Sequence, residues 1–163
     1  MATVALRLGK DISTDDIYPG RFMATVLPTE TPQFCFNDRT EFNAKLKART
    51  FPEGSLIVAD ENFGCGSSRE QAASTIKGHG LVVVAQGIAR IFLQNAINLG
   101  LPLVLCPGGI EANEGDDLEL TPNAVLNHTQ GKSFPTAPLP PARQAIIDAG
   151  GLIPYTRKKL MEA

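Results

Sequence analysis

The sequence has few residues of the kinds that bind metals or form disulfides, and those few are scattered. Its three cysteines, Cys35, Cys65 and Cys106, are an odd number, lie far apart and include no C-x-x-C pair. The two histidines, His79 and His128, are not grouped with them. Disulfide frameworks and zinc sites depend on paired or closely spaced cysteines. We therefore expect free thiols, and neither a disulfide framework nor a metal site within this chain.

The sequence also lacks the charge and hydropathy patterns of nucleic-acid-binding and membrane proteins. The net charge is −2, whereas a protein that follows phosphates usually carries a basic surplus. No run approaches the roughly 18 apolar residues that a membrane helix needs, and the first residues show no cleavage-site pattern of a signal peptide. We therefore expect a cytoplasmic protein that binds neither nucleic acid nor membrane.

What the sequence does contain is the pattern of an α/β domain. Its 163 residues suit a single domain over residues 1–163. Three apolar runs alternate with two amphipathic segments, and the runs lie at residues 55–60, 81–85 and 101–106. This alternation predicts a parallel sheet core with helices on both faces. Short runs at 117–120 and 124–128 predict an added β layer.

The two amphipathic segments carry signals of helix boundaries and of a buried face. Ser67 and Glu70 have the spacing of a capping box, in which each side chain hydrogen-bonds to the other's backbone N–H. Gly78 is a typical stop for that first helix. The apolar spacing of the second helix predicts an inward face formed by Ile88, Ile91, Phe92 and Leu99.

The remaining segments are assigned from the density of turn residues and prolines. Toward the N-terminus we expect a first strand at 3–8, turns at 11–22, an irregular exposed excursion at 23–40 and a short helix at 41–49. Toward the C-terminus we expect a proline-rich surface run at 134–141 and a final helix at 142–149.

Residues 62–70 form the segment with the clearest chemical potential. A glycine-rich turn joins a strand to a helix start, where unpaired N–H groups and the helix dipole favour an anion. Arg69 can bind a carboxylate with two hydrogen bonds. A serine at this position, Ser67 or Ser68, could exchange a proton with a substrate carbon; the alternative is that Ser67 only caps the helix. No P-loop or dinucleotide-binding glycine pattern is present.

Three blocks of the sequence together resemble the swivelling domain of the aconitase superfamily. FGCGSSREQA at 63–72 is similar to the G-S-S-R-E-x-A signature of that domain. ISTDDIYPGRF at 12–22 resembles its S-T-D-x-I-x-P motif, and GIARIFLQNAINLGLPL at 87–103 resembles its A-R-I-F-x-x-N-A segment. The blocks stand in the order of the family and extend the resemblance over about half of the chain.

The resemblance implies a swivelling β/β/α fold and the stereospecific dehydration and rehydration of a hydroxy acid. It implies that Ser67 is the base that removes the carbon-bound proton, that Arg69 binds a substrate carboxylate and that Ser68 helps to hold it. Asp15, which matches the aspartate of the S-T-D motif, would support this site. The alternative for Asp15 is a hydrogen bond within its own turn.

The resemblance also implies a cofactor that this chain does not hold. In the superfamily a 4Fe-4S cluster activates the leaving hydroxyl, and its three cysteine ligands lie on the larger part of the enzyme. The length of the chain matches the split form seen in isopropylmalate dehydratases and homoaconitases. We therefore expect a large iron–sulfur partner subunit, no activity without it, and self-association as an option for the isolated chain.

Substrate choice in the split members is attributed to the segment after the P-G-R motif, here residues 22–25. Ala24 stands where homoaconitase-type subunits carry an arginine suited to a distal carboxylate, and Met23 and Ala24 suit an alkyl group. The resemblance thus favours 3-isopropylmalate over homocitrate, with the reservation that Arg21 could swing toward the substrate. Dimethylmalate and methylmalate are alternative substrates, and a non-catalytic module that holds an anion is an alternative function.

Overall fold

The computed structural model describes residues 1–162, which are organised around one seven-stranded sheet. The strands are β1 (Ala2–Arg7), β2 (Leu56–Ala59), β3 (Val82–Ala85), β4 (Leu103–Leu105), β5 (Asp117–Leu120), β6 (Ala124–Asn127) and β7 (Lys132–Pro135). Their order across the sheet is β4-β3-β2-β1-β5-β6-β7. Strands β1 to β4 are parallel, and β5 to β7 continue the sheet in antiparallel pairs from β1. The predicted parallel core with an added β layer is confirmed.

The helices are listed here with their bounds in chain order. They are α1 (Thr14–Ile17), α2 (Thr40–Lys47), α3 (Glu70–Lys77), α4 (Arg90–Leu99), α5 (Pro141–Asp148) and α6 (Leu152–Glu162). Two 3₁₀ turns lie at Gly20–Phe22 and Thr31–Phe34. The helices predicted at 41–49 and 142–149 are therefore confirmed within a residue or two. The extent of the domain, residues 1–163, stays a prediction.

The two faces of the sheet are both buried, but by different layers. Successive strand residues point to opposite faces, so Ile57 and Ala59 enter the core beneath the helices, whereas Leu56 and Val58 enter a second core. Within residues 1–162 the second core contains no helical side chain and is completed by residues of β5, β6 and β7. The prediction of helices on both faces is wrong, because a wholly apolar strand indicates that both faces are covered and not what covers them.

The inward face of α4 was only partly predicted. Phe92 is fully buried, and Ile88 and Leu99 pack against the helical core. Ile91 is 52% exposed, so its assignment to this face is wrong. A helix turns about 100° per residue, and the alignment of Phe92 with the core turns the preceding isoleucine toward the surface.

Residues 23–40 do not form a wholly exposed excursion, and that prediction is wrong for their second half. Thr31, Cys35 and Phe36 are fully buried. The Thr75 hydroxyl donates to the carbonyl of Thr31 at 2.7 Å, which fixes the 3₁₀ turn against α3. The prolines and polar residues of this segment indicate an exposed loop. Its burial could not be predicted from the sequence, because the residue that anchors it lies more than 40 positions away.

The C-terminal part contains two elements that were not predicted. Strand β7 pairs with β6 where a surface run at 134–141 was expected, and Phe134 packs into the second core. Its proline lies at the end of an edge strand, the position in a sheet that tolerates proline. Helix α6 follows the predicted final helix after two glycines, Gly150 and Gly151, both with positive φ. These glycines end one helix without ending the helical region.

Candidate active site

Two of the three sequence blocks are joined side by side by backbone hydrogen bonds. The N–H of Gly64 donates to the carbonyl of Ile12 at 2.7 Å, and the N–H of Thr14 donates to the carbonyl of Cys65 at 2.8 Å. The glycine-rich turn is therefore held against the start of α1, a segment about 50 positions earlier. This pairing brings the side chains of both blocks to one surface.

The third block contacts the same turn through a single aromatic side chain. Gly64 has φ +82°, and a Cβ added to it would lie 2.4 Å from Cγ of Phe92. Phe92 is also packed edge-on against Phe63, with ring centroids 5.2 Å apart. Only glycine allows both the left-handed backbone and this close approach. The turn, α1 and α4 thus form one unit.

Ser67 is exposed on this turn and does not cap α3. The helix begins at Glu70 with Arg69 in the N-cap position, and no side chain caps it. The predicted capping box is wrong, since Ser67 lies two residues before the N-cap and Glu70 is the first helical residue instead of the third. The hydroxyl of Ser67 lies instead 3.3 Å from that of Thr14.

Thr14 is a site residue that the sequence interpretation missed. Its side chain is buried, whereas Ser67 beside it is exposed. A hydroxyl can donate one hydrogen bond and accept others, so Thr14 can donate to Ser67 from the protein side. The only signal in the sequence was its place in the S-T-D motif, directly before Asp15.

Arg69 is held in place from below by the α1 segment. Its side chain is 16% exposed, and Nη1 donates to Oδ1 of Asp15 at 2.8 Å and to the carbonyl of Tyr18 at 3.0 Å. Among the described residues Nε is buried and has no hydrogen-bond partner. The same Asp15 oxygen accepts from the N–H of Gly20 at 2.8 Å. The Arg69 guanidinium and this N–H together lower the pKa of Asp15.

Residues 22–27, which include the segment predicted to govern substrate choice, lie beside this unit and expose apolar side chains. Met23 is 43% exposed, and Val26 and Leu27 are also exposed. The side-chain amide of Gln71 on α3 donates to the carbonyl of Met23 at 3.3 Å, which links the segment to the helix after the serines. Ala24 is likewise exposed and adds no charge to this surface.

Arg21 is paired with a neighbouring carboxylate. It forms an ion pair with Asp38 and lies 4.7 Å above the ring of Phe22. The same pair raises the pKa of Arg21 and lowers that of Asp38.

Ser68 is exposed, and its carbonyl accepts a hydrogen bond from the side-chain amide of Asn95 on α4 at 3.3 Å. The structure therefore groups Ser67, Ser68, Arg69 and Asp15, and it pairs Arg21 with Asp38.

Within residues 1–162 no group of three or more His, Cys, Asp or Glu side chains is placed to hold a metal ion. Cys35 and Cys106 are buried, and Cys65 lies alone in the turn. Over the same range no helix has the length and apolarity to cross a bilayer.

A separate groove of about 800 Å³ lies at the other end of α3. Its lining includes Lys47, Arg49, Glu53, Lys77 and His79, and it contains none of the predicted site residues. The site around Ser67 is different, because Ser67 and Ser68 are both exposed on the surface. Such a surface fits a site that is completed by another molecule.

Comparison with known families assigns this arrangement. Residues 12–107, which contain all three blocks, match the family model described as the aconitase C-terminal domain. The chain belongs to the aconitase C-terminal domain family. The resemblance inferred from the three blocks is therefore confirmed, and it extends across the residues that surround Ser67.

Individual members of the aconitase C-terminal domain family match nearly the whole chain. The 3-isopropylmalate dehydratase small subunit of Thermodesulfovibrio yellowstonii is 43% identical over 94% of this chain and 92% of its own. The 2,3-dimethylmalate dehydratase small subunit of Eubacterium barkeri is 42% identical over 91% of both. The crystal structure of 3-isopropylmalate dehydratase from Methanocaldococcus jannaschii has a TM-score of 0.85 and 36% identity, covering 98% of this chain and 94% of that one. The names of the first two relatives, both small subunits, imply a larger partner subunit.

Proposed function

We propose that this chain is the small subunit of a hydro-lyase that interconverts 2-isopropylmalate and 3-isopropylmalate in leucine biosynthesis, and that it is active only with its large subunit. The observation that carries the proposal is the placement of an exposed serine, Ser67, on a glycine turn next to a fixed guanidinium, that of Arg69. Relatives named for this reaction match nearly the entire chain. A cytoplasmic location stays a prediction.

In the proposed reaction Ser67 is the base. Its side chain is accessible to a substrate, and the buried hydroxyl of Thr14 lies 3.3 Å from its oxygen. When Ser67 is an alkoxide, Thr14 can donate a hydrogen bond that stabilises the charge, an effect that is larger in a site from which water is excluded. Ser67 then takes the proton from the substrate carbon during dehydration and returns one during rehydration.

Arg69 binds a substrate carboxylate in this proposal. Its Nη1 is already used by Asp15 and Tyr18, whereas among the described residues no hydrogen bond is made by Nε, which is buried, or by Nη2. These two donors form one edge of the guanidinium, and a carboxylate that reaches this edge on binding would make two parallel hydrogen bonds. Asp15 is a positioning residue, because it fixes the guanidinium without occupying that edge.

The 4Fe-4S cluster of the superfamily belongs, in this proposal, to the large subunit. The residues described here do not fit it, since they include no cluster of suitable ligands, and Cys65 is a single thiol. When bound, the cluster would supply a Lewis acid for the leaving hydroxyl. The task of this chain is to present Ser67 and Arg69 on a surface that the large subunit covers.

The surface beside the serines favours an alkyl group over a further carboxylate. Met23 and Ala24 are exposed there, and the nearby cation of Arg21 is neutralised by Asp38. We therefore place 3-isopropylmalate ahead of homocitrate. Dimethylmalate is a second candidate, because a subunit named for that activity is almost as similar to this chain, and methylmalate stays an alternative.

The test is reconstitution with the large subunit from the same genome. Both chains are co-expressed, the cluster is rebuilt without oxygen, and turnover is measured with 2-isopropylmalate, 2,3-dimethylmalate and homocitrate. We expect turnover of 2-isopropylmalate by the complex and none by either subunit alone. Turnover of homocitrate only, or dehydration by this chain without iron, would contradict the proposal.

The serine assignment is tested in the same complex with Ser67→Ala. Loss of a general base should lower turnover by about 10²-fold or more, with assembly unchanged in size-exclusion chromatography. Ser133→Ala on strand β7 is the matched control, because Ser133 is exposed and lies outside the three blocks. Normal turnover in the Ser67 variant would remove the base assignment. Arg69→Lys should raise KM, because lysine lacks the planar fork.

A further inference from the structure

Tyr18 lies beneath the active-site surface and contacts two of its parts. Its side chain is fully buried. Its hydroxyl lies 3.0 Å from the carbonyl of Phe22 and 3.1 Å from that of Thr25, and donates to them. A phenol has one hydrogen to donate, so the two carbonyls share it. Both ends of residues 22–25 are thereby tied to one buried point.

The backbone of Tyr18 is tied to the catalytic turn. Its carbonyl accepts a hydrogen bond from Nη1 of Arg69 at 3.0 Å. The same residue therefore touches the guanidinium that would bind the carboxylate and the segment that would contact the alkyl group. The distance between the Arg69 guanidinium and residues 22–25 therefore depends on the hydrogen bonds that Tyr18 makes to each of them.

The aromatic surroundings keep the Tyr18 ring in one orientation. It packs edge-on against Phe22 and Phe34, with ring centroids 6.4 and 6.2 Å away. These two phenylalanines stack on each other with centroids 4.0 Å apart. Because the ring is enclosed, its hydroxyl cannot turn to another acceptor and cannot reach a bound substrate.

The remaining hydrogen bonds of residues 22–25 are weaker constraints. Among the described residues three of them are backbone bonds within residues 19–25, from Phe22 to Pro19, from Met23 to Gly20 and from Thr25 to Phe22. The fourth is the 3.3 Å bond from the half-buried Gln71. The bonds within the turn preserve its shape but do not hold it to the body of the protein. Within residues 1–162 Tyr18 is the residue whose fully buried side chain hydrogen-bonds to residues 22–25.

We propose that Tyr18 is a positioning residue that sets substrate specificity by fixing residues 22–25 relative to Arg69. The inference rests on the proposed function, because it assigns the alkyl group of the substrate to this segment. The hydroxyl acts on the protein alone. Its loss leaves the groups that react with the substrate in place. It makes residues 22–25, which contact the alkyl group of the substrate in this proposal, more mobile.

The first experiment is amide hydrogen exchange of the isolated chain with Tyr18→Phe. The ring packing is retained and only the tie is lost. We expect the amides of Met23 and Thr25 to exchange roughly five- to tenfold faster, the effect of losing about one hydrogen bond. Tyr155→Phe is the matched control, since the chain has only two tyrosines and Tyr155 lies on α6, remote in the sequence from this segment. Unchanged exchange in Tyr18→Phe would overturn the tie.

The second experiment measures specificity in the complex with the large subunit. We expect Tyr18→Phe to raise KM with little change in kcat, and to reduce the kcat/KM preference between 2-isopropylmalate and 2,3-dimethylmalate by about threefold or more. A merely destabilised protein loses activity toward both substrates equally, so the ratio is insensitive to the folded fraction. An unchanged ratio with faster exchange would overturn the specificity role.

The two arms separate the inference from the proposed function. If the wild-type complex turns over no alkylmalate, the proposed function fails and the specificity role fails with it. The exchange measurement then still decides whether Tyr18 holds residues 22–25. If the wild-type complex is active and the control variant Tyr155→Phe changes the ratio as much as Tyr18→Phe does, the assignment to Tyr18 is wrong.

Discussion

Replacement of Gly64 by alanine tests the packing that unites the three sequence blocks. A Cβ at this position would lie 2.4 Å from Cγ and 2.5 Å from Cβ of Phe92. Phe92 is buried and enclosed by Phe63, so it cannot swing away as a flexible surface side chain would. The backbone of Gly64 also has φ +82°. Alanine therefore introduces two unfavourable effects at one position.

The magnitude follows from adding these effects. A non-glycine residue in the left-handed region costs about 1–2 kcal/mol. Forcing extra atoms into a packed core costs about 1–3 kcal/mol. We therefore expect Gly64→Ala to lower the free energy of unfolding by about 2–5 kcal/mol. This is a large part of the about 5–15 kcal/mol that is typical of a domain.

The assay is urea unfolding of the isolated chain, with Gly54→Ala as the control. Gly54 has φ +89°, and a Cβ added to it meets nothing within 4 Å. The control therefore contains the backbone strain without the contact. With a slope of about 2 kcal/mol/M, the midpoint of Gly64→Ala should lie about 1 M below that of Gly54→Ala. Equal midpoints would refute the argument that Phe92 excludes a side chain at Gly64.

Two further predictions concern titratable groups. Burial raises the pKa of Cys35 to about 12 and that of Cys106 to about 11. A thiol reagent at mildly alkaline pH should therefore modify only Cys65 in the folded chain, and all three thiols in urea. Intact mass spectrometry measures the number of modified thiols. Rapid modification of more than one thiol in the folded chain would contradict this prediction. Because Arg69 lowers the pKa of Asp15 below 3.8, the stability that this carboxylate adds is present above 3.8 and lost as the pH falls through the lowered value. The stability difference between wild type and Asp15→Asn should therefore shrink in acid, and a constant difference in pH-dependent urea unfolding would contradict the pairing.

The parallel core was predictable because buried strands leave a local record. Residues 55–60, 81–85 and 101–106 are continuous apolar runs, and each contains a strand of the core. The order of the strands, in which β1 joins the parallel and antiparallel halves of the sheet, is not indicated by any local pattern in the sequence. It depends on pairing between strands that lie far apart in the chain.

The site was predictable to the extent that its residues lie in recognisable blocks. Ser67, Ser68, Arg69 and Asp15 were identified in this way, and the structure groups them. The prediction of the capping box was wrong because the helix begins only at Glu70, after the turn, although Ser67 and Glu70 have the right spacing. Spacing alone cannot show where a helix begins when tertiary bonds hold the preceding turn.

The amino-acid sequence by itself determined the α/β class, the family and the residue types available for proton transfer and carboxylate binding, because these depend on local periodicity and on short motifs. Only the tertiary structure decided that Thr14 faces Ser67, that Asp15 holds Arg69 and that Tyr18 supports residues 22–25. The first two of these contacts join residues more than 50 positions apart, and the third depends on a buried hydroxyl. Such contacts arise from packing and burial, which leave no periodic signal in the chain.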